Sequence, residues 1–273
     1  MPVDVDLSVA FIQAHGTEFD RVRLDLLLEN GPLLSPEQQQ RFFAGQRDDG
    51  GWPAFWAPDY SSVDATCYRF AQAESMWMGF AGPNMVRAAA FLRSRQGQDG
   101  SWEEDGAVHE LAPPWARPGE LAPRLYLTAN CGWWLANATL RGIFVSTDPT
   151  AQRAGTYLAQ HVREDGSLPS FLHAHWLAGG LWMRLGRADL AARVLDYLAT
   201  RMNDDVPSSS LAWILTTLAG LGVSPDHPLI QRVTTLLLSQ QRADGSWASE
   251  DGPDRDPYAT VEALRGLIQW AAL

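Results

Sequence analysis

Two pairs of side chains in this sequence have the types and spacing that proton transfer or metal binding could use. His173 and His175 stand two residues apart near the start of an apolar segment, and an imidazole can act as acid, base or metal ligand. No Asp, Glu or Cys accompanies them at ligand spacing, so histidines hydrogen-bonded within a core or rim are the competing interpretation. Cys67 and Cys131 are the two cysteines of the chain; they are too few for a disulfide framework and predict buried, reduced thiols.

Aromatic side chains are the next feature, with 12 Trp in 273 residues. Ring faces stabilise cations by about 0.5–2 kcal/mol each and also line apolar pockets. The segment 52–58, Trp-Pro-Ala-Phe-Trp-Ala-Pro, is too apolar for a solvated connector and favours a wall or lid over a cavity mouth. The residues predicted to line a cavity and bind a substrate are Trp52, Phe55, Trp56, Tyr60, Cys67, Asn130, Trp133, Trp134, Phe171, Trp176, Trp213 and Tyr258. Core packing is the alternative for most of them, since only part of a helix can face a lumen.

The segments that carry these residues recur along the chain. A Q-x-x-D-G-x-W signature has degenerate copies at 162–168 and near Val206. Its full copies are Gln46–Trp52, Gln96–Trp102 and Gln241–Trp247. Units therefore recur about every 40 residues, as in repeat architectures. A Pro-rich insertion at 103–125 stretches one unit and is long enough to act as a lid.

Each unit is predicted to form two helices, an amphipathic one before the signature and a more apolar one after it. The amphipathic segments include 84–96 and 229–241. The apolar segments are 62–80, 126–144, 170–185, 208–221 and 256–270, and an N-terminal pair covers 4–15 and 19–30. Four glycines are placed to end the second helix of a hairpin in a left-handed conformation, namely Gly31, Gly82, Gly186 and Gly222.

Six such hairpins could stack as an open solenoid or close into a toroid. Closure removes the exposed ends, places the apolar helices inside and brings the signature loops to one rim. We therefore predict an all-α fold, an (α/α)6 barrel of six helical hairpins that forms a single domain over residues 1–273.

The signature has a specific resemblance. The spacing Phe91-Leu92-x-x-x-Gln96-x-x-x-Gly100-x-Trp102 is similar to the QW repeat of squalene-hopene and oxidosqualene cyclases, and to repeats of protein prenyltransferase β subunits. All six predicted hairpins can be aligned with this repeat spacing. The resemblance implies an α/α toroid whose mouth opens into an apolar cavity for isoprenoid chains. Because one fold hosts several functions, the chemistry has to be inferred from the residues.

The zinc-dependent branch of this superfamily fits the sequence poorly. Its members bind zinc through an Asp-x-Cys pair and a His that precedes a Thr. Here Cys67 follows Asp64 by three positions and not by two, and Ala259, not His, precedes Thr260. Zinc needs three or four ligands, and a methyl group is not one. We expect no metal and no other cofactor.

The cyclases use a D-x-D-D-T segment whose middle Asp protonates an alkene or epoxide. This chain has Ser-Val-Asp-Ala-Thr at 62–66, in which Asp64 and Thr66 match, and the resemblance implies catalytic roles for both. An alkene is a very weak base, so its acid must stay protonated, or be activated by hydrogen bonds, where water is excluded. Both flanking carboxylates are missing, and Asp64 could instead cap its helix.

Three functions fit these features. The first is a terpene-cyclase-like enzyme of class II, a protonation-type isomerase in which Asp64 cyclises an isoprenoid or other apolar polyene. The second is a non-catalytic barrel that binds or carries an apolar ligand. The third is a cyclase or lyase for a non-terpene scaffold that uses the mouth histidines His173 and His175, or Cys131, as acid and base. Each implies a small apolar partner.

Charge and hydropathy limit the other partners. The chain has 32 acidic and 21 basic residues, a net charge of −11, which argues against nucleic acid. No run of about 18 apolar residues could span a bilayer, and the first ten residues carry acids where a signal peptide is basic. We expect a cytoplasmic protein without a transmembrane segment; peripheral membrane contact and oligomeric state stay open. The acidic run 103–105 is expected to be solvated.

Overall fold

The computed structural model describes residues 3–29, 31, 33–140 and 149–273, without the side chains of 139 and 140. These residues form twelve α-helices and one two-stranded antiparallel sheet, which confirms an all-α fold. The helices are α1 Val5–His15, α2 Glu18–Leu27, α3 Pro36–Phe43, α4 Val63–Ser75, α5 Pro83–Ser94, α6 Leu121–Leu140, α7 Thr150–Ala159, α8 Leu172–Arg184, α9 Ala188–Arg201, α10 Ser208–Leu218, α11 Pro228–Ser239 and α12 Asp256–Gln269. The strands are β1 Trp52–Ala54 and β2 Ala57–Ser62.

Two helix boundaries and two of the glycine caps differ from the sequence expectations. The insertion ends at residue 120, because α6 begins at Leu121 and not at 126. The predicted end of this helix at 144 lies outside the described residues. Helix α4 ends at Ser75, before the predicted 80. Of the predicted glycine caps, Gly186 and Gly222 adopt positive φ angles of 72° and 79°, whereas Gly31 and Gly82 do not, and Gly82 instead precedes α5.

The chain divides into two compact units, Met1–Leu33 with Leu198–Leu273, and Leu34–Tyr197. In the first unit, α12 packs against α1, α2 and α10, and α10 also packs against α11. Arg23 of α2 is buried there, pairs with Asp20 and Glu262, and lies 4.0 Å from the ring centre of Tyr258. Closure of six hairpins into a toroid and a single domain over 1–273 stay predictions.

In the second unit, α6 is the central helix and packs against α4, α7 and α8. Its described side chains from Leu125 onward are buried, which explains why its sequence is apolar on all sides. The strands pair with Trp52 opposite Ser62 and pack against α4. The segment predicted as a wall or lid is therefore a β-hairpin that leads into α4.

The repeat signature is explained by a recurring hydrogen-bond pattern. The amide of the signature Gln donates to the carbonyl of the turn Gly and to a carbonyl at the start of another helix. Gln46 contacts Gly50 and Asn84, Gln96 contacts Gly100 and Thr150, and Gln241 contacts Gly245 and Asp4, at 2.8–3.2 Å. The turn Asp accepts from the backbone N–H two residues on, as Asp99 does from Ser101 at 3.0 Å. The signature thus fixes a turn and joins it to a neighbouring helix.

Candidate active site

The site begins where β2 enters α4. Ser62 is the N-cap of this helix, and its hydroxyl accepts from the Ala65 N–H at 3.0 Å. The preceding N–H groups, those of Val63 and Asp64, donate to the Glu104 carboxylate at 3.1 and 3.2 Å. The alternative in which the Asp64 carboxylate caps its own helix is therefore wrong, because Ser62 and Glu104 occupy those N–H groups.

The Asp64 carboxyl group instead accepts hydrogen bonds from α6 and from the insertion. The Tyr126 hydroxyl lies 2.9 Å from Oδ1, and the Asn130 amide lies 3.3 Å from the same oxygen. The Trp115 indole N–H lies 3.3 Å from Oδ2. Tyr126 and Asn130 are buried, and Trp115 is partly exposed. The carboxyl is thus held by three side chains and is itself only partly exposed.

Burial raises the pKa of Asp64, although the hydrogen bonds from Tyr126, Trp115 and Asn130 act in the opposite direction. A carboxyl of this kind retains a proton at higher pH than an exposed one. The Asn130 Oδ1 atom is buried and has no donor among the described residues. Because amide oxygen and nitrogen can exchange places by rotation, Asn130 can offer an acceptor to a proton on Asp64.

Glu104 is the second carboxylate of the site. It comes from the insertion, is 1% exposed, and also accepts from the Ser62 hydroxyl at 2.6 Å and the Tyr60 hydroxyl at 3.0 Å. Burial raises the pKa of Glu104, the hydrogen bonds lower it, and the nearby Asp64 raises it again. The expectation that the acidic run 103–105 is solvated is therefore wrong for Glu104. Its partners lie about 40 positions earlier in the chain, where sequence spacing cannot reveal them.

Thr66 has a structural position. Its hydroxyl donates to the Ser62 carbonyl at 2.7 Å and accepts from the Trp52 N–H at 3.1 Å. Thr128 and Thr260 accept in the same way from the N–H groups of Trp102 and Trp247, at 2.9 and 3.0 Å. Thr66 therefore holds the signature loop against its helix. A catalytic role for Thr66 stays a prediction.

The two histidines have different surroundings. His175 is buried, and its Nε2 accepts from the Leu168 N–H at 3.0 Å, which is the position that Thr has in the other repeats. The His173 ring lies 6.0 Å from the Tyr126 ring and 4.7 Å from the Trp176 ring. His173 thus stands beside the residue that contacts Asp64, whereas His175 holds a loop.

Cys67 and Cys131 meet beneath this site with their sulfurs 3.6 Å apart, both buried and unbridged. Burial raises the pKa of both thiols. They are therefore apolar, protonated groups under Asp64, and this placement agrees with the prediction of buried reduced thiols. Across the described residues, no group of three or more His, Cys, Asp or Glu side chains could hold a metal ion.

The structure gathers some of the predicted substrate-binding residues and separates others. Tyr60 and Asn130 contact Glu104 and Asp64, and the Phe171 ring lies edge-on to Tyr126 at 6.4 Å. Trp56 lies 6.2 Å from the Tyr60 ring, while Phe55 is 85% exposed. Those packed in the core are Trp52, Trp133, Trp134 and Trp176. Trp213 and Tyr258 belong to the other unit, where Trp213 is half-buried on α10 and the Tyr258 ring lies against Arg23.

Sequence reasoning missed Tyr126, Trp115 and Glu104. A signal for Tyr126 exists in the repeat, because it precedes Thr128 by two residues as Asp64 precedes Thr66. His173 and Tyr258 hold the same position before His175 and Thr260. Trp115 and Glu104 lie in the insertion, which has no counterpart in the other units.

Two further features lie apart from these contacts. A surface cleft of about 350 Å³ in the first unit is lined by residues between Asp204 and Glu250, and none of the residues predicted to bind substrate lines it. Within the described part of the chain, every helix is too short or too polar to cross a membrane.

Known structures share this fold. A protein from Actinoplanes superposes with a TM-score of 0.61 at 17% identity, over 93% of this chain and 90% of that one. A variant of the type II terpene cyclase MstE from Scytonema, in complex with its product merosterolic acid A, gives 0.63 at 14% identity, over 98% and 96%. Another MstE variant, in complex with its substrate geranylgeranyl dihydroxybenzoate, gives 0.59 at 13%, over 93% and 87%.

Sequence comparison finds no matching protein family and no similar curated protein. The chain therefore has the helical fold of these type II terpene cyclases, and at such identities the likeness concerns the fold alone. Membership of the QW-repeat superfamily stays a prediction.

Proposed function

We propose that this protein is a terpene-cyclase-like enzyme of class II, in which Asp64 protonates an isoprenoid or other apolar polyene and starts its cyclisation. The observation that carries the proposal is the Asp64 carboxyl group, enclosed by Tyr126, Asn130 and Trp115 with its pKa raised by burial. The shared fold with MstE supports the choice of substrate class.

The reaction follows from the groups around Asp64. The π electrons of a terminal double bond take the Asp64 proton, which leaves a carboxylate and a carbocation. Tyr126, Asn130 and Trp115 are hydrogen-bond donors that stabilise this carboxylate at the moment it forms. Attack by further double bonds closes the rings, and loss of a proton from the final cation makes the overall change an isomerisation.

Aromatic faces stabilise the cation in this proposal. The Tyr126 ring on α6 carries the hydroxyl that contacts Asp64, and the Phe171 ring at the start of α8 lies edge-on to it. Each ring face contributes about 0.5–2 kcal/mol when water is excluded. The insertion supplies that exclusion through Trp115, which makes the predicted lid part of the acid site.

The test is turnover by the purified protein and its Asp64→Asn variant. Squalene, prenyl diphosphates and the prenylated aromatic geranylgeranyl dihydroxybenzoate are the substrates to supply, with products identified by mass spectrometry and NMR. We expect a cyclised product from at least one, and a loss of about 100-fold or more in Asp64→Asn. Asp59→Asn, an exposed carboxylate on β2, is the matched control and should keep full activity.

Three outcomes would contradict the proposal. Undiminished turnover by Asp64→Asn would show that Asp64 is not the acid. Tight retention of a polyene without any conversion would favour the ligand-binding barrel, and a rate lost on His173→Ala but not on Asp64→Asn would favour the histidine-dependent enzyme.

A further inference from the structure

The N-terminus of α4 holds two carboxyl groups in one buried place. Glu104 accepts the N–H groups of Val63 and Asp64, and the Asp64 side chain leaves from the same turn toward α6. Glu104 is buried and Asp64 is partly exposed, and burial raises the pKa of both carboxyls. The Asp64 charge further raises the pKa of Glu104, and the repulsion between two like charges acts on both groups. The ionisation of one carboxyl therefore affects that of the other, and the hydrogen bonds around each decide which carboxyl is the anion.

The contacts of Glu104 favour the anion there. Its four donors are two hydroxyls, of Tyr60 and Ser62, and two helix N-terminal N–H groups, of Val63 and Asp64. Unpaired N–H groups at a helix start carry partial positive charge and stabilise a carboxylate. Asn130, in contrast, donates to Asp64 through Nδ2, and its Oδ1 atom has no donor among the described residues. Rotation of this amide can turn Oδ1 toward Asp64, where it can accept from a protonated carboxyl.

Resting on the proposed function, we propose that Glu104 is a positioning residue for Asp64. As the anion at the start of α4, Glu104 occupies the N–H groups that Asp64 would otherwise cap, so Asp64 turns toward Tyr126 and keeps its proton. Glu104 thereby supplies, from the insertion, a negative charge near Asp64. In a D-x-D-D-T segment the flanking carboxylates would supply such a charge, and this chain lacks them.

Other groups also face Asp64, and the test must separate them from Glu104. They are Tyr126 and Cys131 on α6, His173 on α8, Cys67 on α4 itself, and Trp115 in the insertion. None of them is altered by changing Glu104 to Gln, which keeps the shape and the acceptor oxygen while removing the charge.

The experiment is a carbon NMR titration of the Asp64 carboxyl in protein labelled with ¹³C-aspartate, with the signal assigned by its loss in Asp64→Asn. We expect Glu104→Gln to lower the pKa of Asp64 by about one unit, since a like charge is removed. Glu103→Gln is the matched control, because Glu103 is exposed and its carboxylate binds Arg124 and the Gly119 N–H. An unchanged pKa of Asp64 in folded Glu104→Gln overturns the proposal.

Tyr60→Phe keeps the test informative if Glu104→Gln does not fold, because it removes one donor from the Glu104 anion. It should lower the pKa of Asp64 by a smaller amount in the same direction, and no change would count against the proposal. With substrate, the alkaline limb of the kcat/KM profile should move to lower pH in Glu104→Gln. A merely structural role would reduce kcat/KM at every pH without moving the limb. The titration needs no substrate, so it stands even if Asp64→Asn retains turnover and the proposed function fails.

Discussion

The Tyr126 hydroxyl donates to Asp64 Oδ1 at 2.9 Å, and the two residues hold equivalent places in successive repeats. Asp64 precedes Thr66 by two residues and Tyr126 precedes Thr128 by two, and each Thr binds the N–H of its signature Trp. The repeat therefore brings together two side chains that are 62 positions apart. The same position of the repeat thus holds a carboxyl in one unit and one of its hydrogen-bond donors in the next.

Tyr126→Phe should slow the reaction without unfolding the protein. The hydroxyl lowers the pKa of Asp64, so its loss raises that pKa and leaves a weaker acid. We expect kcat to fall about 10- to 100-fold and the alkaline limb of the pH–rate profile to move to higher pH. Steady-state rates from pH 5 to 9 measure both.

Tyr68→Phe is the control for that variant. Tyr68 lies on α4 one turn beyond Asp64 and is 38% exposed. Its rates should match those of the unchanged protein. If the alkaline limb of the pH–rate profile stays in place or moves to lower pH in Tyr126→Phe, the Tyr126 hydroxyl does not set the acidity of Asp64.

Asp64→Asn should make the protein more stable at neutral pH. Because the folded-state pKa of Asp64 is raised by burial, the folded protein binds more protons than the unfolded chain between the two pKa values. Stability therefore falls as pH rises through this window, and the loss is complete above the folded pKa. Asn does not ionise, so the Asp64→Asn variant does not lose stability in this way.

Melting temperatures from pH 4 to 8 check this prediction. The advantage of Asp64→Asn should be greatest at pH 7–8 and shrink toward pH 4, close to the ordinary value for Asp. Asp59→Asn should show no such trend. A variant less stable than the unchanged protein at pH 7 would mean that the Asp64 contacts outweigh the cost of burying its charge.

The repeats and most helices could be predicted because they depend on local signals. Apolar periodicity marks the helices, and Asp-Gly turns mark the loops between them. The early start of α6 could not be predicted, because the sequence Leu-Ala-Pro-Arg at 121–124 resembles a loop. Pro123 is tolerated there since N–H groups in the first turn of a helix have no intrahelical partner.

The site was predictable only in part, for a different physical reason. Asp64 stands in a recognisable segment, but its electrostatic setting depends on Glu104 and Trp115, which a non-repeating insertion supplies. Long-range contacts of this kind leave no spacing pattern. Trp115 is partly exposed in the insertion, and nothing in the sequence indicates that its indole N–H donates to Asp64.

Gly100→Ala should destabilise the protein by about 2 kcal/mol or more. Gly100 has a φ of +94°, and an added Cβ would lie 2.7 Å from the Arg153 carbonyl oxygen, so both the backbone and the space exclude a side chain. Urea unfolding measures the change. Gly106→Ala, in the insertion that follows, is the control, because no described atom lies within 4 Å of the place its methyl group would take and its φ is not positive. Its effect should stay within about 0.5 kcal/mol.

His175→Thr should preserve both fold and activity, since Thr is the residue that the other repeats use to bind the loop N–H. His175→Ala leaves the Leu168 N–H without an acceptor in a buried place and should cost about 1–3 kcal/mol in the free energy of unfolding. Unfolding curves and turnover of both variants, set beside His173→Ala, separate structure from chemistry. If His175→Thr folds normally but is inactive, His175 acts on the substrate, and an enzyme that relies on its histidines replaces one that relies on Asp64.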